Sequence, residues 1–408
     1  MKCRFCQHEL THEFINLFNA PPSNSFLTKE QLNEPEIFYP LRLFVCENCF
    51  LVQIDEYKKP NEIFNQDYAY FSSFSSSWLA HAKRYVEMIT DRIRLNTASH
   101  VIEVASNDGY LLQYFIEKKI PCLGIEPSTN TAEAARRKGV DILEDFFGES
   151  LAKRLVNERK QADLIIGNNV FAHVPDINDF VSGLKTALKP EGVITLEFPH
   201  LMNLVGQNQF DTIYHEHFSY LSFHTARLIF EKHKLEIFDV EQIPTHGGSL
   251  RIYGKHNEDK SKSVARNVDA LLLEEKRNGM QDIDYYNGFQ EKVDKVKNNL
   301  VSFLMEQKRS GKRVIAYGAA AKGNTLINYC GIKQDLIAFV ADGSPHKQDK
   351  YLPGSHISVL NKDEIKRLKP DYVIILPWNI KDEITEQLGY IREWEGMFVV
   401  AIPEMKIF

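Results

Sequence analysis

The sequence predicts an α/β fold, a doubly wound parallel sheet preceded by a small metal-stapled module and followed by a second, smaller α/β unit. Three observations predict it. Short apolar strand patterns alternate with helix-like patterns between about residues 100 and 200. The alternation restarts at Arg313 after a strongly charged helical stretch. Two close cysteine pairs stand in front of both. At roughly 100 to 200 residues per domain, 408 residues suggest two or three domains, and the pattern fits three.

Residues 1–65 carry several prolines and short β-like runs such as 39–44, too little to build a core without help. Help comes from Cys3-x-x-Cys6 and Cys46-x-x-Cys49. A two-residue gap lets a tight turn present both thiolates to one tetrahedral ion, and the long loop between lets the pairs meet. Four thiolates leave no open position for water, so the expected zinc is structural. His8 and His12 lie close enough to substitute for a ligand but are not needed. Cys122 and Cys330, in apolar surroundings, read as core residues. A serine-rich, aromatic stretch over 67–78 then leads into a helix expected over 79–94. Strands are expected at 100–104, 121–125, 163–167 and 192–198. Residues 259–309 are charged with apolar residues at helical spacing and predict one or two long helices. The last unit carries strand patterns at 313–318, 336–340, 371–376 and 397–402. The expected domains are therefore 1–65, 66–258 and 259–408.

Composition narrows the function classes. The chain is 43% hydrophobic and 25% charged, and its net charge of −6 forms no basic stripe, which argues against a nucleic-acid partner. No apolar run approaches the roughly 18 residues that span a bilayer, and the first ten residues lack the apolar heart of a secretory signal. A cytoplasmic location without a membrane partner is expected. Paired cysteines in a chain this long fit metal ligation in a reducing compartment better than disulfides. No heptad or apolar patch is readable, so a monomer is expected.

The segment from Val101 through Glu103, Ala105, Ser106, Asn107 and Asp108 to Gly109 follows a strand and opens a helix, so it would cup a ligand at the carboxyl edge of the sheet. It lacks the G-x-G-x-x-G pattern. Glu126 ends the next strand, where a carboxylate accepts hydrogen bonds from two ribose hydroxyls. A dinucleotide would want the glycine turn for its pyrophosphate. S-adenosylmethionine has no phosphate, and the polar groups of Ser106, Asn107 and Asp108 suit its amino-acid end, which favours the methyl donor over NAD. Asp145 and Phe146 are placed to flank an adenine, and Asn168 falls where the methionine end would lie. Farther on, Gly318-Ala-Ala-Ala-Lys322-Gly323 sits between a strand and a helix, either as an anion site for a diphosphate or as tight packing by small residues. Asp342, ending the following strand pattern, would meet a ribose by the logic of Glu126.

These residues together resemble a family, the sugar C-methyltransferases of deoxysugar biosynthesis, which methylate carbon 3 of nucleotide-linked 4-keto sugars. The resemblance runs through the whole chain. It rests on the cysteine pairs, Tyr68-x-Tyr70-x-Ser-Ser, Ser106-Asn-Asp-Gly109, Asn168-Asn-Val-x-Ala-His173-Val, Tyr214-His-Glu-His217-x-x-Tyr220, Gly247-Gly-Ser-Leu and Tyr317-Gly-Ala-Ala-Ala-Lys-Gly323. It implies a class I methyltransferase Rossmann-like domain between a zinc module and a C-terminal Rossmann-like domain that helps hold a sugar nucleotide, a dTDP-linked sugar being one such substrate. It also implies cofactor contacts from Tyr68 and substrate contacts from Tyr70 and His215. Ala105 departs from the family's glycine, though alanine is small enough to keep the cup.

Methylating carbon requires a carbanion, and the most accessible one lies beside a ketone, where the charge of the enolate rests on oxygen. His217 is the expected base, since histidine titrates near neutrality and Tyr214, His215 and Glu216 stand around it to orient it. The resemblance points to the same residue; it casts Glu216 as positioning the sugar and Tyr214 and His173 as donors to the keto or enolate oxygen. Without the family, the His-x-His pair would be equally readable as two ligands of a metal whose third is unidentified. His246, before Gly247 and Gly248, either lines the sugar pocket or serves a turn. The rival functions are an O-methyltransferase on a small hydroxyl compound and a non-catalytic protein whose second α/β unit holds NAD.

Overall fold

The computed structural model describes residues 1–59, 62 and 70–408, so Tyr68 lies outside the described residues. Three sheets organise the chain. A seven-stranded sheet runs, from edge to edge, through Leu235–Ile243, Ser249–His256, Leu188–Pro199, Ala162–Asn168, Val101–Val104, Cys122–Ile125 and Ile142–Leu143. Within this sheet the chain order is 6-7-5-4-1-2-3. Its first five strands are parallel, and the Leu235–Ile243/Ser249–His256 hairpin closes it antiparallel against Leu188–Pro199. The order reverses between Val101–Val104 and Ala162–Asn168, and in open α/β sheets ligands bind outside the carboxyl ends of the strands at such a point.

The second sheet has six strands in the order Val359–Asn361, Val340–Asp342, Val314–Tyr317, Tyr372–Ile375, Met397–Val400 and Lys406–Ile407. Its chain order, 3-2-1-4-5-6, is that of dinucleotide-binding sheets, with the last strand antiparallel. The third sheet pairs His12–Ala20, Tyr39–Val45 and Val52–Ile54 with a strand from far along the chain, Ser219–Tyr220. Tyr220 lies opposite Val52 and Ser219 opposite Gln53.

Local chemistry sets the boundaries. The first long helix starts at Ser76, not 79, because the Ser75 hydroxyl accepts from Trp78 N at 3.2 Å and caps it. The charged stretch forms two helices, Arg266–Arg277 and Phe289–Arg309. The strand expected over 336–340 is displaced to Val340–Asp342. Ile337 N turns back to Lys333 O at 3.2 Å and so does not join the ladder.

The cores do not follow the sheets. Buried residues of the N-terminal strands, such as Phe14, Leu43 and Val52, form one cluster with the second α/β unit. The cysteines cluster instead with the helices and strands of the seven-stranded sheet. No helix among the described residues is long and apolar enough to cross a membrane.

Candidate active site

The four N-terminal cysteines meet with their sulfurs all within 4.8 Å of one another. Cys3 Sγ lies 3.6 Å from Cys49 Sγ, and Cys6 Sγ 3.5 Å from Cys46 Sγ. Zinc–sulfur bonds of roughly 2.3 Å in a tetrahedron place sulfurs about 3.8 Å apart, while a disulfide needs about 2.05 Å. The quartet fits a four-thiolate zinc. Both pairs use the same knuckle: the residue after each pair, Gln7 or Phe50, takes a left-handed φ of 64° or 58° and donates its N–H to Cys3 O or Cys46 O. Gln53, buried and without a signal in the spacing, donates from Nε2 to Cys3 Sγ at 3.2 Å.

One cavity of about 1430 Å³ extends from the seven-stranded sheet to the six-stranded one. At its first end it is lined by Tyr70, Ala105, Asn107, Glu126, Asp145, Phe146 and Asn168. Ala105 and Asn107 hold φ of 57° and 50°, and Gly109 follows at 73°. That left-handed run turns the loop across the strand ends, and it explains why glycine suits position 105. The Glu126 carboxylate caps the loop, accepting from Asn107 N and Ser128 N, both at 2.9 Å. Burial pushes its pKa up against those amides.

Glu103, Ser106 and Asp108 do not line the cavity. Asp108 is engaged by Lys138 at 3.2 Å and by Ser73 N at 3.3 Å. Glu103 is 1% exposed, and burial holds its carboxyl well above the ordinary range, with Tyr110 opposing the rise. Asn168 Nδ2 donates to the Tyr110 hydroxyl at 3.4 Å. The wall so formed offers a carboxylate and neutral amides, a donor set that fits a ribose-bearing ligand with no phosphate.

Midway along the cavity stand His173, Tyr214, Glu216 and His217. Turns bring them there. His217 N donates to Tyr214 O at 2.9 Å, and Phe218 N donates to Ala172 O at 2.7 Å, joining the run to the turn Phe171–His173. The His173 and His217 rings meet edge to face with centroids 4.5 Å apart. The His217 Nδ1 to Thr212 O distance is 2.9 Å. A carbonyl only accepts, so Nδ1 carries the proton and Nε2 is the acceptor, here filled by the Tyr214 hydroxyl at 2.8 Å.

Of the three expected orienters, Tyr214 bonds His217, while Glu216 and His215 are engaged elsewhere. Glu216 is held by Asn24, whose Nδ2 donates to both carboxylate oxygens at 2.8 and 2.9 Å. His215 does not line the cavity; its Nε2 is 3.2 Å from Pro40 O, and its ring lies against Tyr39 and Tyr57. Nor does His217 titrate near neutrality, because burial, with His173 nearby, pushes it well below its ordinary value. Burial takes His173 down to about 4 and Glu216 up to about 7.

The far wall comes from the six-stranded sheet and includes Gly318, Lys322 and Asp342. Gly318 has φ 88°, and a Cβ there would lie 2.5 Å from Pro377. Asp342 repeats the Glu126 arrangement, accepting from Ala319 N and Ser344 N at 2.7 Å each. Lys322 Nζ donates to Asn379 Oδ1 at 2.7 Å and sits 4.9 Å above the Trp378 ring. Burial lowers its pKa, and Asp211 opposes that shift. Asp211, fully buried, accepts from Trp378 Nε1 at 2.8 Å. Asn24, Thr212, Asp211 and Trp378 carry no motif, and only folding brings them to the site.

Three family models match the chain: a zinc binding domain over residues 3–64, a methyltransferase domain over 78–240, and a C-methyltransferase C-terminal domain over 244–403. The chain is 31% identical over 406 residues to the C-methyltransferase NovU of Streptomyces niveus, covering 100% of this chain and 96% of that relative. Solved structures similar to part of the chain include magnesium protoporphyrin IX methyltransferase of Synechocystis with bound S-adenosylhomocysteine. That likeness has 13% identity over 44% of this chain and 82% of the other, with a TM-score of 0.34. The PH0226 protein of Pyrococcus horikoshii shows 13% identity over 49% and 99%, with a TM-score of 0.37.

Proposed function

This chain belongs to the S-adenosylmethionine-dependent C-methyltransferases, and from that membership we propose that it methylates carbon 3 of a nucleotide-linked 4-keto-deoxyhexose through an enolate, with His217 as the base. As an enzyme of this class it leaves no place for the non-catalytic alternative. The observation that supports the reading best is the tautomer of His217: the Thr212 carbonyl fixes the proton on Nδ1 and leaves Nε2 basic, inside a cavity shared by the cofactor cup and Lys322.

S-adenosylmethionine, when bound, would supply the electrophilic methyl group from its sulfonium, whose S–CH3 bond breaks with the electron pair left on sulfur as the thioether S-adenosylhomocysteine. The chain's residues do the rest. As the keto-sugar enters, the Tyr214 hydroxyl turns to its carbonyl oxygen and frees His217 Nε2. Nε2 takes the proton from the carbon beside the ketone, and the electron pair left behind moves into the enolate, whose oxygen Tyr214 and His173 stabilise. That pair then forms the new carbon–carbon bond, and His217 returns its proton to solvent. A buried neutral imidazole is a weak base by itself, so imidazolium and enolate are formed as a mutually stabilising ion pair. Glu216 and Tyr70 hold the sugar, with Lys322, Gly318 and Asp342 on the nucleotide. Glu126, Asp145, Phe146, Asn168, Ala105 and Asn107 hold the methyl donor. The work divides among 1–65, which binds zinc, 66–258, which binds the donor, and 259–408, which binds the sugar nucleotide.

The test is mass spectrometry of the protein with labelled S-adenosylmethionine and a panel of nucleotide-linked 4-keto sugars in heavy water. The expected result is one methyl on carbon, with deuterium at the same carbon when the donor is omitted. A methyl found on oxygen without exchange would establish the O-methyltransferase instead. His217→Ala is expected to lose at least a hundredfold in turnover while binding the donor normally; retained turnover would remove His217 from the role of base.

A further inference from the structure

His246 lines the same cavity as His173 and His217, and its backbone stands at φ 54° and ψ 22° in the turn Thr245–Gly247. A non-glycine residue held there costs on the order of 1 kcal/mol, and persists where its surroundings over-determine it. They do so here from several sides. Gly247 and Gly248 follow at φ 90° and 113°. A Cβ on Gly247 would lie 2.4 Å from the Trp378 ring, and one on Gly248 2.3 Å from Asn203 Nδ2. Gln209 Nε2 donates to Gly247 O at 2.8 Å, and the Thr245 hydroxyl donates to Glu197 at 2.8 Å. The imidazole is pinned edge-on against Trp78 at 5.1 Å and 88°, and Trp78 in turn stacks on Tyr110 beside Asn168.

So much scaffolding holds a ring whose Nδ1 is buried and, among the described residues, has no hydrogen-bond partner. Such an atom costs roughly 1–3 kcal/mol when left unpaired, a cost that a bound ligand removes. Burial brings the pKa of the ring down to about 4, so it is neutral and offers one donor and one acceptor. Lys322 and His173, which line the same cavity, act electrostatically on the ring, as do Glu197 and His81.

We propose that His246 is a substrate-contacting residue, a further histidine of the cavity whose imidazole hydrogen-bonds a hydroxyl group of the sugar. This rests on the sugar reading above and deepens it.

The experiment compares wild type, His246→Asn and His246→Ala as full-length zinc-loaded protein on the 4-keto sugar nucleotide that wild type methylates. Asparagine tolerates left-handed backbone and keeps the turn. The expected result is a 10- to 100-fold fall in kcat/KM in both variants, carried mainly by KM. The affinity for S-adenosylmethionine by calorimetry and the melting temperature of His246→Asn should stay unchanged, and deuterium exchange at saturating sugar should survive because His217 is intact. Wild-type turnover with both variants within threefold of it would overturn the role of His246 alone. A loss of donor affinity and melting temperature in His246→Asn would overturn it too, in favour of a purely structural turn. A wild type that neither binds nor methylates any sugar nucleotide would remove the substrate reading, and this inference with it.

Discussion

Glu216 shows what a single buried carboxyl does to this molecule. Its pKa rises from 4.5 to about 7, chiefly by burial, with Asn24 opposing the rise. A carboxyl whose folded pKa is raised contributes stability that is complete below its unfolded value and lost as pH rises through the folded one. At 1.36 kcal/mol per pH unit the loss amounts to about 3 kcal/mol by pH 8. Glu216→Gln keeps an acceptor for Asn24 and removes the charge, so it should melt higher than wild type at pH 8 and nearly the same at pH 4.5. An equal difference at both values would mean that charge burial is not the cause. Ala105 is the other informative residue, with φ 57° in the cofactor wall. Ala105→Val places a β-branched side chain in left-handed backbone, and thermal and ligand-binding measurements should show about 1–2 kcal/mol of lost stability together with weaker donor binding.

Among the elements, the two knuckles and the strand Ser219–Tyr220 carry the most consequence. The cysteines share a cluster with Phe171, Phe180 and Leu221, all packed within the seven-stranded unit. Ser219–Tyr220 extends the zinc module's sheet directly after the Tyr214–His217 run. Zinc bound by the four cysteines would thus hold one edge of the candidate site. Stripping it with a strong chelator should abolish methyl transfer and expose apolar surface that a hydrophobic dye reports, with metal-to-protein stoichiometry falling in parallel. Activity surviving in metal-free protein would separate the module from the site. Strands with two buried faces, such as Val101–Val104, were legible from apolar runs alone. The antiparallel hairpin and the strand His12–Ala20 were not, because their meaning lies in partners distant along the chain.

At the scale of the whole molecule, the loop after His12–Ala20 ties the N-terminal sheet and the second α/β unit to the Tyr214–His217 run. Leu27 N and Tyr351 O pair at 2.9 Å, and Glu36 accepts from Gly354 N at 2.7 Å, so the loop lies along the second α/β unit. From this position Asn24 reaches Glu216. Asn24→Ala should therefore lower turnover about tenfold and raise the Glu216 pKa further, read from the pH–rate profile, while zinc content stays at wild-type level. By itself the sequence determined the four cysteines that meet, most of the parallel strands, the loop that follows the first of them and the chemical type of the central run. Each of these is encoded by neighbours, through x-x spacing, alternation or a short motif. Only the tertiary structure decided that Asn24, Thr212 and Trp378 serve the site, that His215 faces away, and that Asp108 is used by Lys138. The physical reason is that a side chain's partner and burial are set by loop closure across tens to hundreds of residues. Local pattern carries no record of which distant atom will stand 2.8 Å away.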